Sequence, residues 1–320
     1  MGEFDLIRRY CRPAVRHTVL AGGDDAALLA PAAGMELAVS HDLLVAGRHY
    51  FETMDPERLA RKAVAVNLSD MAAMAAVPRW VLLGLVLPRF DEAWVAAFCR
   101  GFESALTEAN VDWVGGDTTA GPAALAVTVL GEVPRGKALR RSGARPEDDI
   151  WVSGTLGDAA LGLGCLQGTC FLEATAERLA LSRFEQPAAR LDLGYGLRDL
   201  AHAAIDISDG LLGDLDHVLT ASGVGAVVQL GALPVAPFQP GDGHDPAWRQ
   251  RVLAGGEDYE LCFTAAPHRR AAIETLGQSL SLPLTRIGMV TGHAAERRIV
   301  GLDGGDVLMP WRGFDHFPTP

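Results

Sequence analysis

The chain has 320 residues, 49% hydrophobic and 21% charged, with a formal net charge of −12. That length accommodates two domains with real cores, and that composition excludes a disordered chain. The acidic balance argues against a non-specific nucleic-acid binder, and the longest apolar run, Trp80 to Leu87, is far too short to span a bilayer.

The opening stretch from Met1 carries acids and no long apolar core, so it does not read as a signal peptide. Glu3 to Tyr10 reads as a short helix. Val19 to Ala30 reads as two apolar pieces around a Gly22-Gly23-Asp24-Asp25 turn, which is either a hairpin tip or an ion site. Glu36 to Asp42 reads as a strand ending in an acid. His49, just beyond, is either a core histidine or a substrate contact.

Asp55 to Val77 reads as the central helix. Asp55 can cap it, Pro56 suits the first helical position, Glu57 favours the positive end of the dipole, and Pro78 marks the stop. Leu59, Ala63, Val66 and Asp70 share one stripe at helical spacing, so Asp70 points inward. A lone buried carboxylate is costly, and it must be protonated, paired, hydrogen-bonded or bound to a metal.

Trp80 to Leu87 reads as a buried strand and Asp91 to Asn110 as an amphipathic helix. Val111 to Thr119 reads as a strand ending in glycines and Asp117, followed by a strand from Ala123 to Val133. Arg135 to Asp149 is polar and turn-rich, and the domain boundary is placed here, giving domains 1–136 and 137–320. Its five basic residues form either a solvated face or a reach toward a bound anion. Beyond it come a strand from Ile150, helices to about residue 203, a short strand at Ala204 to Asp206 entering a helix, and a loop-rich region over 222–246. Glycines and acids at 253–260 then precede a strand, another strand covers Thr285 to Val290, and an aromatic tail spans Trp311 to Phe317.

Three short motifs recur at nearly constant offset: Gly23-Asp and Gly157-Asp, Ser69-Asp70 and Ser208-Asp209, Gly116-Asp117 and Gly256-Glu257. The echo raises a duplication without proving one. Both halves carry acids beside glycines, where α/β folds place ligands. If Asp24, Asp25, Asp42, Asp70, Asp117, Asp206 and Asp209 converge, their repulsion calls for hard divalent cations, and all-oxygen donors select Mg²⁺. Such a site suits a phosphate-rich substrate. No Walker A, protein-kinase, nucleophile-elbow or dinucleotide-binding signature is present. The five cysteines (Cys11, Cys99, Cys165, Cys170, Cys262) include no C-x-x-C pair and read as buried thiols in a reducing, cytoplasmic compartment.

Taken together, Gly23-Asp-Asp-Ala-Ala27, Asp42 with Gly47 and His49, Lys62 with Asn67-Leu-Ser-Asp70, Gly115-Gly-Asp117, Asp206-x-Ser208-Asp209-Gly-Leu211 and Gly256-Glu-Asp-Tyr-Glu260-Leu261 resemble the thiamine-monophosphate kinase family. This family belongs to the aminoimidazole ribonucleotide synthetase-like superfamily. The opening Gly2-Glu-Phe-x-Leu-Ile7 and the closing Gly313-Phe-x-His-Phe317 fit it too, so the resemblance covers nearly the whole chain.

The resemblance implies two α/β domains with the active site in the cleft. It implies an N-terminal ATP/Mg-binding domain that also makes a homodimer, and no membrane or nucleic-acid partner. The implied reaction is phosphoryl transfer from ATP to thiamine monophosphate, giving thiamine diphosphate, with several Mg²⁺ ions.

By resemblance, Asp25, Ser40, Asp42, Asp70, Asp117, Asp206 and Asp209 are magnesium ligands, with Asp42, Asp70, Asp117 and Asp209 as the catalytic core. Gly116, Asp117, Arg141 and Ser208 are ATP contacts, and His49, Glu257 and Phe314 contact thiamine monophosphate. The chain departs from the family at His41, Arg48, Ala75, Cys99 and Phe314, where Thr, a small apolar residue, Gly, an aromatic and Trp are usual. The alternatives are another ATP-dependent member of the superfamily with a different substrate, or a nucleotide-sensing dimer without turnover.

Overall fold

The computed structural model describes residues 15–21 and 24–314. The helix expected at Glu3 to Tyr10, Cys11, the two glycines of the 22–25 turn and the tail beyond Phe314 lie outside the described residues. The chain divides into two compact units, residues 1–71 with 76–136, and residues 72–75 with 137–320.

In the first unit, β1 (Thr18–Leu20) and β2 (Leu28–Leu29) form a small antiparallel pair flanking Asp24 and Asp25. β3 (Met35–Val45), α1 (Pro56–Ala73), β4 (Val77–Leu87), α2 (Glu92–Glu108), β5 (Asp112–Ala120) and β6 (Ala124–Pro134) follow. The sheet order is β3-β6-β4-β5, antiparallel except for the parallel β4–β5 pair.

Alternation along β3 is strict. Glu36, Ala38, Ser40, Asp42 and Leu44 turn inward, whereas Met35, Leu37, Val39, His41, Leu43 and Val45 are exposed.

The central helix starts where expected: the Asp55 carboxylate accepts from the Arg58 N–H at 3.0 Å. It ends four residues early. Ala76 N–H bonds to the Met71 carbonyl and Ala75 N–H to that of Ala72, with Ala75 at φ +55°, which makes a Schellman stop in place of the expected run to Val77. Pro78 is not the terminator. It lies in β4 beside a register irregularity before Trp80, where its missing N–H is tolerated. Asp91 caps α2 through the Trp94 N–H at 3.1 Å. The two helices cross closely at Gly101, where a Cβ would stand 2.5 Å from the Glu57 carbonyl oxygen. Cys99 is buried on α2 at 3% exposure, so it is a core residue.

Two further expectations on strand ends need correction. Asp42 and Asp117 lie inside β3 and β5, because the ladders continue past them to Val45 and Ala120.

The second unit contains β7 (Asp149–Ser153), α3 (Asp158–Leu166), α4 (Ala174–Glu185), α5 (Leu191–Leu197), β8 (Ala203–Asp206), α6 (Leu211–Ser222), β9 (Gly225–Gln229), α7 (Pro246–Ala254), β10 (Leu261–Ala265), α8 (Arg270–Ser279), β11 (Leu284–Thr291) and β12 (Arg297–Val300). The sheet order is β12-β9-β11-β7-β10-β8, with only β12–β9 parallel.

Alternate strand residues feed two cores. Ile150, Val152, Ile205 and Cys262 pack with Leu211, Leu215, Trp248 and Val252 on one face, while Trp151, Phe263 and Ala204 pack with Leu193, Leu197 and Ile273 on the other. Burial on both faces explains why these strands read as continuous apolar runs.

The region 222–246, expected to be loop, contains β9, whose Ala226 and Val228 face the core. Strand β12 and helices α7 and α8 were not anticipated. The two sheets differ in strand number and order. Ser69-Asp70 is helical, whereas Ser208-Asp209 is a loop between β8 and α6, so the motif echo does not correspond to a repeated local structure.

Candidate active site

In the first unit, Ser40 and Asp42 are two residues apart on the inward face of β3. Asp70, near the end of α1, comes to them: Ser40 Oγ donates to Asp70 Oδ2 at 2.5 Å. The inward stripe on α1 therefore delivers its carboxylate to the sheet. Asp70 is half-buried and hydrogen-bonded.

His49 lies just beyond β3, with Nδ1 accepting the Val45 N–H at 3.0 Å. This fixes the ring and places its proton on Nε2. His41 is on the opposite, outward face against Thr128 Oγ1 at 2.8 Å, so its replacement of the usual Thr does not alter the inward row.

Gly116 and Asp117 sit on β5. A Cβ at Gly116 would stand 1.9 Å from the Leu83 carbonyl oxygen, so only glycine fits. Ladder partners run Asp117–Gly84–Ala126–Leu43, which places Asp117 three strands from β3, roughly 14 Å at the usual strand spacing. Asp25 is exposed in the turn between β1 and β2, and its N–H bonds to Asp24 Oδ1 at 2.9 Å.

In the second unit, Asp206 closes β8 at 5% exposure, and Ser208 and Asp209 form the turn into α6. This turn is laced to the loop before β10: Glu257 N–H bonds to Ser208 O, and Tyr259 N–H to Ile207 O, each at 2.8 Å. Gly256 is required at the crossing, since its Cβ would lie 2.4 Å from Ser208 O. Glu257 and Tyr259 hold φ of +73° and +50°. Such backbone costs of order 1–3 kcal/mol per residue and persists only when the surroundings over-determine it.

Glu260, 3% exposed, is held by the Arg190 guanidinium and by Ser153 Oγ at 2.5 Å. Asp258 turns its carboxylate onto the N–H groups of Gly157 (2.7 Å) and Ala159 (3.2 Å) at the start of α3, and burial drives that carboxyl well above its usual range. Arg141 is exposed in the segment before β7. Phe314 is 55% exposed, with its N–H bonded to Asp209 O at 3.1 Å.

Sequence reasoning passed over Asp214, at 3% exposure in the first turn of α6. Its Oδ2 accepts the Asp209 N–H at 3.0 Å. Burial, and next the charges of Asp209 and Asp206, push it up to about 7. An acid in the first turn of a helix, five residues after another acid, was the available signal.

The donors are all oxygen, which fits Mg²⁺ and not a thiolate-loving metal. Burial raises Asp214 most, and the neighbouring charges of Asp209 and Asp206 that add to it are the kind a cation relieves. Among the described residues no three His, Cys, Asp or Glu side chains form a metal-ready cluster.

The family models for AIR synthase related protein match over residues 23–133 (N-terminal domain) and 145–301 (C-terminal domain). The thiamine-monophosphate kinase of Salmonella typhimurium is 43% identical over 323 residues, covering 100% of this chain and 99% of that one. The crystal structure of thiamine-monophosphate kinase from Stenotrophomonas maltophilia is 43% identical with a TM-score of 0.84, covering 94% and 97% of the two chains. The structure of AaThiL complexed with AMPPCP and TMP is 31% identical with a TM-score of 0.76, covering 99% and 97%. The chain belongs to the thiamine-monophosphate kinase family of AIR synthase related proteins.

Proposed function

We propose that this chain transfers the γ-phosphoryl group of ATP to the phosphate of thiamine monophosphate, giving thiamine diphosphate and ADP, the last step of thiamine diphosphate biosynthesis. The observation that carries this reading is full-length 43% identity to a thiamine-monophosphate kinase, with every acid of the candidate set in place.

The acceptor is a phosphate oxygen, already largely ionised near neutral pH with a second pKa of about 6, so no general base is required. The barrier lies in bringing two polyanions together in line. Asp25, Ser40, Asp42, Asp70 and Asp117 in the first unit, and Asp206 and Asp209 in the second, would hold the Mg²⁺ ions. When bound, these would neutralise phosphate charge.

Ser40 fixes the Asp70 carboxylate, which keeps one oxygen oriented. Gly116 would let backbone approach a phosphate, Ser208 at the β8–α6 turn would offer its hydroxyl to ATP, and the exposed Arg141 would add positive charge. The exposed ring of Phe314 suits stacking on an aromatic ring of thiamine. The Nε2–H of His49, whose Nδ1 accepts the Val45 N–H, would donate to thiamine monophosphate, and Glu257 would accept from the aminopyrimidine or offset the thiazolium charge.

A homodimer through the first unit is supported by the outward face of β3, where Leu37, Val39 and Leu43 are 47%, 60% and 58% exposed. No helix of the described residues is long and apolar enough to cross a membrane. Cys99, Cys165, Cys170 and Cys262 are not joined in disulfides, which fits a reducing, cytoplasmic setting.

The test is ADP release with ATP and Mg²⁺, with and without thiamine monophosphate, following thiamine diphosphate by chromatography. Equal yields of diphosphate and ADP support the kinase. Bound ATP without diphosphate would discard the substrate.

A further inference from the structure

The last described residues run onto the turn that carries Asp209. Val307, Met309 and Trp311 pack against the core of the second unit, and Arg297 stands over the Trp311 ring at 5.9 Å. Beyond them the backbone crosses α6 at Gly213. A Cβ there would lie 2.3 Å from the Gly313 nitrogen and 2.4 Å from its Cα, so any side chain at 213 expels the segment. A Cβ at Gly313 would in turn lie 2.8 Å from the Asp209 Cβ. This glycine-on-glycine crossing brings the Phe314 N–H to the Asp209 carbonyl at 3.1 Å. On the other side, the Asp214 carboxylate takes the Asp209 N–H at 3.0 Å. The N–H of Asp209 is thus held from the helix that follows it and its carbonyl by a segment about a hundred residues further on.

We propose that Asp214 and the Gly213–Gly313 crossing form a two-sided clamp that presets the Asp209 side chain, with Asp214 as a positioning residue and the segment ending at Phe314 coupling thiamine-ring binding to the cation site. The proposal rests on the reading of Asp209 as a ligand of the nucleotide-bound cation. A carboxylate whose backbone is fixed at both ends loses little freedom on binding an ion, so its contribution to affinity is larger. Seating the thiamine ring on Phe314 steadies the same hydrogen bond, and by reciprocity bound Mg²⁺–ATP favours the seated segment.

The experiment uses the full chain with Asp214→Ala, Asp214→Asn and Gly213→Ala, measuring turnover against Mg²⁺ and against thiamine monophosphate, with thermal melts as the structural control. Asp214→Ala raises the Mg²⁺ concentration for half-maximal rate at least tenfold. Asp214→Asn, whose amide oxygen still accepts the Asp209 N–H, recovers most of that loss. Gly213→Ala raises both the Mg²⁺ requirement and the KM for thiamine monophosphate. Unchanged Mg²⁺ dependence in Asp214→Ala or Gly213→Ala overturns the clamp, as does Asp214→Asn behaving like Asp214→Ala.

Should Gly213→Ala fail to fold, a chain ending at Arg312 removes the Phe314 N–H instead and must show the same two shifts. If the unaltered chain makes no thiamine diphosphate, the functional reading has failed separately. The clamp is then read by calorimetric titration of Mg²⁺ with ATP into the same variants, where a loss of affinity only in Asp214→Ala and Gly213→Ala supports it and equal affinity refutes it.

Discussion

Removing the guanidinium of Arg190 while keeping its aliphatic stem, as Arg190→Met does, leaves Glu260 stranded. The Glu260 side chain is 4% exposed and that of Arg190 18%, so solvent screens the pair only weakly. Arg190 grips both carboxylate oxygens, with Nε on Oε2 at 2.7 Å, and Ser153 Oγ supplies one further donor at 2.5 Å. The carboxylate has no room to swing away, because a Cβ on neighbouring Gly154 would already lie 2.1 Å from Oε1.

At an effective dielectric near 20, unit charges about 4 Å apart attract by roughly 4 kcal/mol. Breaking a buried pair from one side costs about 3–5 kcal/mol, because the remaining charge is uncompensated. At roughly 2–4 °C per kcal/mol for a unit of this size, Arg190→Met lowers the melting temperature of the second unit by about 6–20 °C.

Glu260→Gln in the Arg190→Met background removes the stranded charge and restores more than half of that loss, so the double-mutant cycle shows strong coupling. Glu260 stands between the strained 257–259 backbone and the first residue of β10, so the single variant also raises the KM for thiamine monophosphate through Glu257. Calorimetry and the ADP-release assay measure both effects. A melting shift below 2 °C, or no recovery in the double variant, would refute the reasoning.

Asp70→Asn keeps the Ser40 contact but removes the charge, and turnover falls at least a thousandfold with an unchanged melt; wild-type rates in the coupled assay would sink the metal reading of that residue. Burial alone would raise the Asp149 carboxyl, yet hydrogen bonds from Arg270 and Arg286 outweigh it and hold it below its usual range. The stability this contributes is present above about pH 4 and is lost as pH falls through the lowered folded value. Arg270→Gln therefore destabilises the chain at pH 7 and converges with wild type in urea titrations once pH falls below the lowered folded value of Asp149, and a difference constant across pH would contradict the assignment. Leu37→Lys with Val39→Lys and Leu43→Lys charges the outward face of β3; sedimentation should then give a monomer where wild type gives a dimer.

Much of this molecule was readable locally. Asp55-Pro-Glu announced the start of α1, and the stripe through Leu59, Ala63 and Val66 placed Asp70 inward, because capping and helical period act within a few residues. Pro78 misled because a proline marks where a helix cannot continue, not where it stops; the Schellman turn at Ala75 had already ended it. Strand β12, Arg297–Val300, carries a weak signal of its own and exists because it pairs in parallel with β9. Helix α7 did carry a local signal, Asp245 capping through the Ala247 N–H ahead of Pro246, but the glycines and prolines before it made the region read as loop.

Residue types and short spacings alone carried the family, the two-unit α/β character and the start of the central helix. Tertiary structure decided the rest. It brought Ser40 on β3 to Asp70 on α1 and kept Asp117 three strands away. It turned His41 outward, buried Cys99, and set Gly213 against Gly313 beside Asp209. Those relations depend on strand order, register and the crossing of segments about a hundred residues apart, and no local pattern in the chain encodes them.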